Sequence, residues 1–168
     1  MRVVQVVAST VLSLFAVHAA VAGDYKVGNI ELDDLWVRAS VPGQVNGAGY
    51  LDIENKGDAA DKLIAVESSS SKRIELHTIL NENGVAKMRE VQGGIPVPAK
   101  AKTNLKPGGY HVMFIQLNGP FKAGEKVDAV MKFEKAGAVK VQFEVKPATH
   151  NPGSSGEHGM PMQGGMKH

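Results

Sequence analysis

Between residues 23 and 146 apolar and polar positions alternate in short runs, and each run is bounded by turn formers. The pattern predicts strands over residues 30–39, 48–53, 62–66, 73–80, 85–91, 111–117, 127–133 and 139–145. Between them lie Pro42-Gly43, Asn55-Lys56-Gly57, Asn83-Gly84, Gly93-Gly94, Pro107-Gly108-Gly109 and Ala136-Gly137. Asn83-Gly84 and Ala136-Gly137 separate adjacent strands and read as hairpin turns. No window of helical length keeps a 3.6-residue apolar repeat. Eight short strands at this spacing predict one all-β domain over residues 23–147, a sandwich or Greek-key barrel.

Both ends depart from that pattern. Residues 1–22 open with Arg2, continue in an apolar run from Val3 to Val17, and close on Ala20-Val21-Ala22. Basic start, apolar middle and small-residue end are the marks of a secretory signal peptide. The expected product is a soluble periplasmic protein. The run is shorter than the roughly 20 residues a spanning helix needs, so no stable membrane insertion is expected. Residues 148–168 read ATHNPGSSGEHGMPMQGGMKH, with no branched aliphatic or aromatic side chain. Such a segment cannot bury enough surface to offset its ordering entropy, and a flexible tail is expected.

Composition removes several function classes. Nineteen basic against 17 acidic residues leave a net charge of +2 and no basic stripe, so a nucleic-acid partner is not expected. There is no cysteine in the 168 residues. Disulfides, thiolate metal sites and a lipid attached through cysteine are therefore unavailable. No nucleophile elbow, zinc helix motif or nucleotide loop is present, and an enzyme is not expected. The acids Asp33, Asp34 and Glu75 read as solvated surface groups, and Trp36 and Met131 as core.

Histidine and methionine remain as the chemistry-bearing residues. Apart from His18 and Met1, the domain holds His77, His111, Met88, Met113 and Met131, and the tail holds the rest. His111-Val112-Met113 puts imidazole and thioether on one face of a strand. His77 and Met88 flank the Asn83-Gly84 hairpin, which can bring them near each other. His77 shares its strand face with Arg73, Glu75 and Ile79, a face expected to meet water. Were the two pairs to meet, two thioethers and two imidazoles would favour Cu(I) over zinc, magnesium or calcium. The imidazoles must be neutral to bind, so affinity should weaken as pH falls through about 6.5. Taken alone, the same residues also read as core fillers and ordinary histidines. The tail concentrates His150, His158, Met160, Met162, Met166 and His168, a composition that marks metal binding to Cu(II) or Cu(I).

Glu75-Leu76-His77, Met88 after ten intervening residues, and His111-Val112-Met113 form a combined motif, with Met88-Arg89-Glu90-Val91, Gly93-Gly94-Ile95-Pro96 and the run from Leu105 to Met113 between and around its parts. Over residues 25–145 the chain resembles the periplasmic copper chaperones called PCu(A)C. The resemblance implies a cupredoxin-like barrel on which His77, Met88, His111 and Met113 bind Cu(I). Many members carry another Met just after the first His; here Thr78 and Ile79 stand there. The tail resembles the Met/His-rich extension of some members. The implied role is delivery of copper to the copper centres of cytochrome c oxidase, through its copper-site subunits or a thiol-containing copper chaperone. Competing readings are periplasmic copper storage or tolerance, and a non-metal β-sandwich binding module.

Overall fold

The computed structural model describes residues 25–152. The signal-like residues 1–22 and the tail residues His158, Met160, Met162, Met166 and His168 lie outside them. Among the described residues there is no helix. Eleven strands follow one another: β1 Tyr25–Val27, β2 Ile30–Arg38, β3 Asn46–Asn55, β4 Asp61–Glu67, β5 Ser71–Glu82, β6 Val85–Glu90, β7 Ile95–Val97, β8 Ala101–Leu105, β9 His111–Leu117, β10 Lys126–Phe133 and β11 Gly137–Lys146. Eight match the runs expected from alternation. The additional β1, β7 and β8 are three to five residues long, and Pro96 sits inside β7. Such strands are too short to show a period, and a proline argues against a strand until its edge position is known.

The strands form one sheet in the order β6-β5-β9-β3-β2-β11-β10-β4-β7, with β1 on β2 and β8 on β3. Among the described residues the strand pairs are antiparallel except β11 with β2. Strand β3 changes partner along its length: Asn46 to Gly49 pair with β9, and Leu51 to Asn55 with β8. The sheet curls until its last strand returns to β3 and β8. There the Asn55 side-chain amide donates to the Val97 carbonyl, and the Thr103 hydroxyl donates to the Pro96 carbonyl. The architecture is all-β and cupredoxin-like.

One core fills the curl. Leu32, Val37, Ile53, Leu63, Ile95, Val112, Phe114, Met131 and Phe143 are each fully buried in it. Met131 is therefore core, as expected. Trp36 is buried too, but it lies between the core-facing Leu35 and Val37 and points to the opposite face. There Tyr50, His150, Arg38 and Lys146 surround it.

Candidate metal centre on the outer face of β5, β6 and β9

The alternation of β9 creates one half of the site. Val112 and Phe114 are fully buried, each contributing on the order of 1.5–3 kcal/mol by leaving water. That burial fixes the register, because a one-residue slip would turn both side chains outward. His111, Met113 and Ile115 are thereby committed to the other face. On β5 the same logic applies: Leu76 is buried and Ile74 packs on the core, so Arg73, Glu75, His77 and Ile79 share the outer face.

Register then brings the two strands' side chains together. His77 stands directly opposite His111, and Glu75 opposite Met113. The two imidazole centroids are 5.7 Å apart with their planes at 65°. Met113 is the diagonal neighbour of His77 across this ladder.

The β5–β6 hairpin supplies the remaining side. Asn83 and Gly84 have φ of 53° and 80°, the left-handed pair that a two-residue turn requires and that Asn-Gly adopts cheaply. This turn sets Glu82 against Val85, and so Ile79 against Met88 and His77 against Glu90. Met88 thus falls on the His77 face, diagonal to His77. All four side chains share one face of three adjacent strands, with His77 at the centre. Met88 is on the edge strand and 51% exposed, whereas His111 is 3% exposed.

Hydrogen bonding decides what each ring offers. The His111 Nδ1–H donates to the Gly109 carbonyl at 3.0 Å, which leaves the lone pair on Nε2. His77 Nε2–H donates to Glu75 Oε2 at 2.8 Å. Its Nδ1 is buried and without a partner, an orphaned nitrogen of the kind that metal binding would satisfy. Burial pushes the His111 imidazole below its ordinary pKa; the Gly109 carbonyl opposes this and His77 adds to it. His111 is therefore neutral at neutral pH, the state a ligand needs.

The donor set is two imidazole nitrogens and two thioether sulfurs. Among the described residues no three His, Cys, Asp or Glu side chains converge to hold an ion. Soft, monovalent Cu(I) suits this set better than zinc, magnesium or calcium.

One expectation changes. Glu75 is not a solvated surface group: its side chain is 19% exposed and its carboxylate holds both His77 and Arg73. Its place two residues before His77 was the signal available in the sequence. Asp34 does lie at the surface, 54% exposed, but it pairs with Lys146 at 2.7 Å. His150 does not join the four; its ring packs edge-on against Trp36 with centroids 4.8 Å apart. It ends a row that runs from Trp36 to Tyr50 (4.5 Å) and from Tyr50 to His111 (6.4 Å). Sequence reasoning missed that row, since its contacts join residues far apart in the chain.

Comparison with known proteins places the chain in a family. Residues 30–145 match the model of the LpqE-like family, described as "Putative lipoprotein LpqE-like". A curated relative, "Putative lipoprotein Lxx21020" of Leifsonia xyli, is 29% identical over 117 residues, covering 70% of this chain and 69% of its own length. Among solved structures, the copper-bound PCuAC domain from PmoF2 is 26% identical with a TM-score of 0.64, covering 74% of this chain and 98% of that domain. The Cu(I) form of DR1885 from Deinococcus radiodurans is 28% identical with a TM-score of 0.58, covering 78% and 85%. With more than half its length matched by the family model, the chain belongs to the LpqE-like family, and it shares its fold with copper-binding PCuAC domains.

Proposed function

We propose that this protein is a copper chaperone that binds one Cu(I) through Nδ1 of His77, Nε2 of His111 and the thioether sulfurs of Met88 and Met113. The observation that carries the reading is the buried, unpartnered Nδ1 of His77 standing opposite His111, with a methionine on each diagonal. The copper-bound and Cu(I)-bound relatives of the same fold support it. The role we assign is binding and transfer of the ion, as the copper-bound relatives of the same fold suggest. Copper delivery to the cytochrome c oxidase copper centres is the destination we assign, either directly to copper-site subunits or through a thiol-bearing chaperone.

The exposure gradient across the site suits transfer. His111 is anchored in the fold, while Met88 lies on an edge strand with half its side chain in water. An incoming thiolate, a stronger ligand for Cu(I), meets Met88 first and can displace it while the imidazoles still hold the ion. Residues 1–22 direct export to the periplasm, and the domain of residues 23–147 carries the site. The segment 148–168, with His150, His158, Met160, Met162, Met166 and His168, is a second copper site that raises local copper concentration near the first. The relative named as a lipoprotein is consistent with an envelope location. In this chain no cysteine is present for lipid attachment.

Delivery is tested by mixing the Cu(I)-loaded protein with an apo copper-binding fragment of the oxidase and following the metal. Transfer that needs His77 and Met88 is the expected result. Retention of copper against that fragment and against a thiol-bearing chaperone would instead make this a storage protein.

A further inference from the structure

Among the described residues Glu75 is the one carboxylate bonded to a ring of the site, and a metal-binding account based on the four ligands gives it nothing to do. It lies on β5 two residues before His77 and directly opposite Met113. Its two oxygens are divided between two partners. Oε1 is ion-paired with Arg73 Nε at 2.8 Å, and Oε2 accepts from His77 Nε2 at 2.8 Å. An ionised carboxylate can only accept, so this bond keeps the proton on Nε2 and the lone pair on Nδ1. It also holds the ring: a histidine tethered at one nitrogen cannot rotate to offer the other. Arg73 ion-pairs with the oxygen that does not face the ring.

We propose that Glu75 is the positioning residue of the site, holding the Nε2–H edge of His77 so that the buried, unpartnered Nδ1 is the nitrogen presented to Cu(I). The inference rests on the copper reading above and deepens it. Glu75, with Glu90 opposite His77 on β6, also places negative charge beside an ion bound by four neutral ligands. Groups that orient a metal-bound histidine in this way typically contribute about 10–100-fold to affinity.

The test uses the full chain and two readouts, one of which needs no copper. In the apo protein, the His77 Nε2–H proton should be seen by nitrogen-resolved NMR as a slowly exchanging, hydrogen-bonded signal. Glu75→Ala should abolish that signal and weaken Cu(I) binding about 10–100-fold in anaerobic competition with a chelator. Glu75→Gln keeps an acceptor oxygen and should keep both the signal and an affinity within about tenfold of wild type. Glu75→Thr, a strand former too short to reach the ring, replaces the alanine variant should that one not fold. An Nε2–H signal that persists in Glu75→Ala, or a signal that is lost with Cu(I) affinity unchanged, would overturn the inference while leaving the copper reading intact. Equal Cu(I) binding by wild type and His77→Ala would overturn the copper reading and the role of Glu75 with it.

Discussion

At the scale of single residues, the two methionines of the site differ in what else they do. Met113 is half-buried between Ala48 and Glu75, so removing it disturbs packing as well as ligation. Met88 is more than half exposed on an edge strand. Met88→Ala should therefore change unfolding free energy by no more than about 0.5 kcal/mol, the range of ordinary surface substitutions. It should nonetheless lower Cu(I) affinity by more than the about 10–100-fold typical of groups that only support a ligand. Urea unfolding and chelator competition on the same variant separate the two effects. The ligand candidates were legible in the sequence because strand alternation assigns faces. His111-x-Met113 shares a face by the two-residue period alone, and Glu75 shares one with His77 for the same reason. What alternation does not encode is whether a carboxylate on that face stays in water or turns back onto its neighbour, which depends on packing across strands.

Among the elements, the loop between β10 and β11 is locked by a buried carboxylate. Asp61, at the start of β4, accepts from the backbone N–H groups of Lys62, Lys135 and Ala136 at 2.7–2.9 Å. Burial alone would raise its pKa, but the Lys135, Lys62 and Ala136 amides outweigh that and hold the carboxyl below its ordinary value. The folded pKa thus lies below the unfolded value of about 3.9. The stabilisation is complete above that value and is lost as pH falls through the folded pKa. Asp61→Ala leaves buried donors unsatisfied and should cost about 2–3 kcal/mol at pH 7. Its deficit relative to wild type, read by urea unfolding, should shrink as pH falls below about 3.9 and the native carboxylate takes up its proton. The Asn83-Gly84 hairpin could be read from turn chemistry, because few residues accept a positive φ. The Ala136-Gly137 signal marked the second hairpin only approximately, since its turn is residues 134–136 and Gly137, with positive φ, already opens β11. Strands β7 and β8 could not be read. They are held by their neighbours, including the side chains of Asn55 and Thr103, rather than by an apolar period of their own.

For the whole molecule, the segment after β11 lies over the indole that the outer face would otherwise expose. Arg38 Nη1 donates to the Ala148 carbonyl at 2.8 Å, and the His150 ring caps Trp36, which is 1% exposed. Deleting residues 148–168 should therefore expose the only tryptophan, shifting its fluorescence to the red and lowering the thermal midpoint. Deleting residues 153–168 should leave both unchanged, and is the variant that tests the tail's copper without disturbing this cover. The sequence showed where the composition changes, after Pro147, but not that the first residues beyond it pack on the domain. That contact depends on β11 running parallel to β2, which sets Glu144 beside Trp36 and carries the following residues past the indole. The central claim, one Cu(I) held by the four outer-face side chains, is tested most directly by anaerobic Cu(I) titration against a competing chelator. The protein ending at residue 152 should bind one tight equivalent, and the same protein carrying His111→Ala and Met113→Ala should bind none of comparable affinity. Equal tight binding by the two would contradict the account.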